Sequence, residues 1–280
     1  MPTSAIGQTS SQIAFNTFRN RLLTAGLLTA LALATVPSSA SAAHAWGSFH
    51  WARTANPFTL KLVRKMTSTW YSYLDLASAA WTISPKLNTT IVLGANDAAS
   101  RQACATVAGR TVVCNFPYGL TGWLGLATIW LDGNNHIVQG TAKMNDSYSW
   151  SPGNRQLVVC QEVGHTFGLA HQDEGFGNAN LGTCMDYTSL PFGPPNNLAL
   201  NQHDLAQLNA IYAHLDGYTT LTQTSLAAAL PFGSESIDFN QPDQWGTLLE
   251  SVNDGRTEVY ERDLGDGYKV VNFVIWAAKR

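Results

Sequence analysis

The chain has 280 residues, of which 45% are apolar and only 12% charged, and it carries nine tryptophans. A net charge of −3 leaves no basic surface for nucleic acid, and the apolar content excludes a disordered protein. With so few charges the surface must be built largely from Asn, Gln, Ser and Thr, as is common outside the cell.

The first 42 residues read as a secretory signal peptide. Arg19 and Arg21 precede an apolar run over 22–36, then Pro37 and a small-residue stretch ending at Ala40-Ser41-Ala42. The run is too short for a membrane span, and the two arginines are not adjacent as a twin-arginine signal requires. A soluble, secreted, monomeric protein is expected, with residues 43–216 as one domain and 217–280 as a C-terminal extension. An aromatic lead segment, 46–57, follows so soon that no pro-segment fits before it. The protein is therefore expected to be active on export or held by a separate inhibitor.

Apolar residues at Val63, Met66, Trp70, Leu74, Ala77 and Trp81 have helical spacing and predict a long helix over about 60–81. Short β-branched runs at 89–93 and 111–114 predict strands. Residues 124–131 and 136–144 flank Asp132-Gly-Asn-Asn135, which is hairpin chemistry. Ser151-Pro-Gly-Asn154 opens the next helix, with Asn154 as its expected cap.

That helix carries the most informative stretch, CQEVGHTFGLAH over 160–171. Gln161 and His165 are four apart and project from the same side of a helix, with Glu162 about a quarter-turn away. Val159, Val163 and Phe167 fall on the opposite, core-facing side. Gly168 lets the backbone leave the helix sharply and bring His171 round to the same place. Such a set can hold a metal with one position left for water, which Glu162 would deprotonate. Cys184-Met-Asp-Tyr187 follows after a short Gly- and Asn-rich loop.

Farther on, 191–197 is a loop rich in Pro and Asn, and 201–214 has the pattern of a helix. A polar, turn-rich connector, 216–242, is broken by an apolar run at 226–230. Residues 259–262 and 269–277 around Gly265-Asp-Gly267 read as a hairpin, either an added sheet layer or a substrate-recruiting appendage. His44, His50, His136, His203 and His214 lack ligand spacing and are taken as structural or exposed. Asp173 and Glu174 could help bind calcium, though an ordinary solvated loop explains them as well. Asn88 and Asn145 stand in glycosylation acceptor triplets, which matter only in a eukaryotic host.

Together, 155–187 resemble the metzincin metallopeptidases, most closely the small secreted matrixin-like proteases. Their pattern is H-E-x-x-H-x-x-G-x-x-H followed by a methionine turn. The resemblance implies an α+β fold with a mixed sheet, a long N-terminal helix, the active-site helix, a Met-turn and a C-terminal helix, plus here a small β extension. It implies one catalytic zinc on Gln161, His165 and His171, Glu162 as general base and Met185 in the turn. Tyr187 would be a weak ligand or a transition-state donor. It also implies that 136–144 or its partner strand forms an open sheet edge, where an extended peptide or protein substrate pairs. On the residues alone, Met185 could equally be core filler and Tyr187 an ordinary buried tyrosine.

The chain departs from the family at Gln161, where the first histidine should stand. An amide oxygen is a poorer donor to zinc than imidazole nitrogen. Gln161 could ligate, Tyr187 or a carboxylate could fill in, or the site could lack metal. The main expectation is a zinc metalloendopeptidase; the alternative is a zinc-free pseudoenzyme that binds extended peptides. A secreted structural or adhesion domain, the third possibility, leaves the motif register unexplained.

All four cysteines lie beyond residue 42, and an even number in an oxidising compartment argues for two disulfides. Three pairings are possible. Cys104–Cys114 with Cys160–Cys184 is favoured, because the first closes a local loop and the second ties the active-site helix to the turn before Met185.

Overall fold

A computed structural model describes residues 45, 47–222, 237–252 and 254–277. The expected signal peptide, His44, Trp46 and the apolar run at 226–230 lie outside the described residues. Among the described residues, no helix is long and apolar enough to cross a membrane.

One large mixed sheet organises the chain. In chain order its strands are β1 (His50–Trp51), β2 (Phe58–Lys65), β3 (Leu87–Leu93), β4 (Arg110–Phe116), β5 (Trp123–Leu131), β6 (His136–Asn145), β7 (Thr247–Val252), β8 (Thr257–Gly265) and β9 (Tyr268–Trp276). They lie side by side as β3-β2-β4-β6-β5-β9-β8-β7, with β1 pairing the start of β6. The half from β3 to β6 is parallel, and everything from β6 through β7 is antiparallel.

The expected helix over 60–81 is only half present. Phe58-Thr-Leu-Lys-Leu-Val alternates buried and exposed positions and forms β2, while α1 (Tyr71–Trp81) takes the second half. The local period of two outweighs the looser helical spacing of Val63 and Met66. A short helix, α2 (Ala98–Ala103), was not legible beforehand. The helix that carries Gln161, Glu162 and His165 is α3 (Pro152–His165), and α4 (Gln202–Ile211) follows, with Asn201 and Asp204 forming a reciprocal capping box.

Packing sits on both faces of the sheet. On one, α1 and α3 cover Leu60, Ala127, Ile129, Met144, Val271 and Phe273. On the other, Trp123, Leu126, Trp130, Val274 and Trp276 are covered by Phe239 and Trp245. The C-terminal residues thus form three strands of the same sheet, where a hairpin was expected. They also remove the open edge expected at 136–144 or its partner: β6 lies between β4 and β5, and β5 is paired along its other side by β9.

Candidate metal centre

α3 begins at Ser151, whose hydroxyl accepts from the Asn154 amide at 3.1 Å, so Ser151 and not Asn154 is the cap. Pro152 then occupies the first turn, where its missing N–H costs nothing. The helix is buried along most of its length, including Gln161, Glu162 and His165. It ends at His165, and Gly168 turns the chain at φ +90°; a β-carbon there would stand 2.1 Å from the Phe49 carbonyl oxygen. Glycine is required on both counts.

The turn carries the chain back against the stretch that follows Cys184. The Gln172 amide donates to the Met185 carbonyl at 2.6 Å, and the Tyr187 amide to the Asp173 carbonyl at 3.1 Å. Cys160 and Cys184 are bonded, as are Cys104 and Cys114. Met185 is fully buried beneath α3, its sulfur 2.6 Å from where a Gly164 β-carbon would be.

This folding brings His165 and His171 together, with their Nε2 atoms 3.1 Å apart. His165 Nδ1 lies 2.8 Å from the Leu169 carbonyl and His171 Nδ1 2.8 Å from a Glu174 carboxylate oxygen. Each Nδ1 faces an acceptor, which turns the two Nε2 atoms toward each other. Backing of this kind is typical of metal-bound histidines. Two nitrogens bound to one zinc at 2.0–2.1 Å stand about 3.3 Å apart in a tetrahedron.

One turn before His165 on α3, Gln161 is fully buried and neither polar atom of its amide has a hydrogen-bond partner among the described residues. An unsatisfied buried amide costs about 1–3 kcal/mol, which a cation taking the oxygen would offset. Glu162 is also fully buried, against Gly125 of β5, where an added β-carbon would meet its Oε1 at 2.1 Å. Burial pushes its carboxyl well above the usual range; the Ala127 amide opposes that rise without reaching hydrogen-bond geometry. Two imidazole nitrogens at this separation fit a divalent cation.

Tyr187 stacks on His171 with ring centroids 5.9 Å apart, and its hydroxyl donates to the Arg256 carbonyl at 3.5 Å. Burial pushes the phenol up to about 12, so it stays protonated at neutral pH. A cavity of about 180 Å³ opens beside Gln161 and Tyr187, walled by Trp150, Leu157, Phe176 and Trp276. From the sheet side, Phe273 of β9 stacks face to face on His165 at 4.7 Å. Phe273 thus covers the His165 ring from within the same chain.

Asp173 and Glu174 do not converge as a calcium set. Glu174 backs His171, while Asp173 accepts from the Gly175 amide and from Asn178. A second group was missed altogether: His50, His214 and Asp216 present ligand atoms all within 4.8 Å of one another and could hold a metal ion. They come from distant parts of the chain, and only the His214-Leu-Asp216 pair gave any local signal.

No family model and no curated protein matches the chain. Among solved structures it is similar to two of myroilysin. One has a TM-score of 0.32 and 11% identity, over 63% of this chain and 97% of that one. The other has a TM-score of 0.30 and 13% identity, over 60% and 82%. Overlap this slight assigns neither family nor function.

Proposed function

We propose that this chain is a secreted zinc metalloendopeptidase of metzincin type, held in a closed form by its own strand β9. The observation that carries the reading is the His165–His171 pair, with Nε2 atoms 3.1 Å apart and both Nδ1 atoms backed by acceptors, and with an unpartnered Gln161 amide one turn earlier on α3. Gln161, His165 and His171 would hold the metal. Zinc bound there supplies a Lewis acid and an acidified water.

Glu162 would take a proton from the attacking water at its carboxylate and return it to the departing amine nitrogen. Its burial excludes competing solvent, and Gly125 leaves the space its carboxylate needs. The Tyr187 phenol, protonated at neutral pH, can donate to the developing oxyanion once it leaves the Arg256 carbonyl. The cavity beside Gln161 would receive an apolar side chain of the substrate. An extended peptide would pair along β5, in the place β9 now occupies.

Hydrolysis of casein by the purified protein, compared with Glu162→Ala, tests this reading. Loss of a proton-transfer residue should lower the rate by about 10²–10⁴-fold. Equal rates would remove Glu162 as the base. No hydrolysis by either would favour a peptide-binding protein without catalysis, for which the Gln161 substitution and the strand seated on β5 are the supporting features.

A further inference from the structure

We infer that His50, His136, His214 and Asp216 form a second, structural zinc site, separate from the His165–His171 centre and independent of whether the chain is a peptidase. His50 Nε2 and His214 Nε2 are 3.2 Å apart, and they stand 3.3 and 3.4 Å from Asp216 Oδ1. Charge-assisted hydrogen bonds are shorter, at about 2.7–2.9 Å. These three separations instead match one face of a tetrahedron around zinc, whose edges are about 3.3 Å for bonds of 2.0–2.1 Å. His136 Nε2 approaches the same carboxylate oxygen at 3.5 Å and supplies the fourth ligand by closing in on the ion.

The imidazoles are also held from behind. His50 Nδ1 meets the Ser48 carbonyl, and the Tyr218 hydroxyl, which donates to Asp132, meets His136 Nδ1. Both rings thereby turn Nε2 toward Asp216 Oδ1. The other carboxylate oxygen is held by the Arg53 amide at 3.0 Å and its guanidinium at 2.9 Å, which fixes Oδ1 toward the histidines. Backing groups of this kind orient the ligands of metal sites, and an N/O set with four protein ligands is a closed structural zinc site.

The fold explains how residues so far apart meet. β1 runs parallel to β6 with His50 opposite His136, and the segment after α4 returns to them, the Asp216 amide donating to the Arg53 carbonyl at 2.9 Å. Zinc here would pin the N-terminal strand and the end of α4 to the sheet.

The test is zinc per chain in chelator-stripped protein refilled with zinc chloride and dialysed. It is run on the parent, on His214→Ala and on the His165→Gln/His171→Gln pair. One zinc should persist in the double variant and raise its Tm, while His214→Ala should bind that zinc at least 100-fold more weakly. Tyr218→Phe, which removes a group backing His136, should weaken it about tenfold. Unchanged zinc affinity in His214→Ala overturns the site, whatever happens at His165. The His214 side chain is 55% exposed, so its loss takes nothing from the core. Should that variant still not fold, cobalt(II) added to the double variant decides: tetrahedral d–d absorption supports the site, and its absence overturns it.

Discussion

Lys143 illustrates how a single residue can work against the fold that holds it. It lies in β6 with its ammonium buried on the sheet face away from α3, donating to the Asn240 side chain at 2.9 Å. Burial lowers its pKa from 10.5 to about 8, with Asp238 only partly opposing. Between about pH 8 and the unfolded value near 10.4, the unfolded chain keeps a proton that the folded chain has given up. Stability from this residue therefore rises with pH across that window and is at its worst below pH 8, by about 3 kcal/mol. Lys143→Met should stabilise the protein at pH 7 by roughly 1–3 kcal/mol after the lost hydrogen bond is counted. That gain should vanish near pH 10.5; urea unfolding at pH 7 and pH 10 reads both, and a variant no more stable at pH 7 refutes the account. Residue-scale chemistry was unevenly legible beforehand. Gln161, Glu162 and His165 announce themselves because one helix fixes their spacing. His50, His136 and Asp216 did not, because β1, β6 and the segment after α4 set their meeting, and no local period records a tertiary contact.

At the scale of elements, the decisive pairing is β5 with β9. Thr128 and Asn272 face each other in that ladder, both fully buried, with the Thr128 hydroxyl donating to the Asn272 amide oxygen at 2.8 Å. If a substrate must take β9's place, a crosslink at this point should stop hydrolysis. Opposed residues in an antiparallel pair have Cα atoms about 4.5–5.5 Å apart, within disulfide reach. Thr128→Cys/Asn272→Cys should lose residual casein hydrolysis once the bond forms, while the same variant with its thiols blocked keeps it. Full activity in the crosslinked chain would mean that β9 need not leave. The sequence announced β8 and β9 through their β-branched runs and the turn at 265–267. What it could not announce was their neighbour, because pairing partners are chosen by long-range packing. The same limit explains β2: Phe58 to Val63 alternates like a strand but runs without a break into a helical pattern, and only its parallel partners β3 and β4 settle the matter.

For the whole molecule, residues 217–280 are expected as a C-terminal extension, and their described strands share the cores of the rest of the chain. Val259, Val271, Phe273 and Ile275 belong to the same core as α1 and α3. Val270, Val274 and Trp276 share the opposite face with Trp123 and Trp130 of β5. Releasing β9 exposes several of these side chains at about 1.5–3 kcal/mol each. Summed over several side chains, that cost makes release of β9 rare, so on the proposed reading hydrolysis by the closed chain is slow. A released β9 also leaves β5 unpaired on one side, so the two halves of the sheet do not part as independent bodies. Heating should therefore give one calorimetric transition, with the van't Hoff enthalpy equal to the calorimetric enthalpy. Two transitions, the first removing only the C-terminal strands, would make 217–280 a domain of its own and leave the covered cleft a loosely held one.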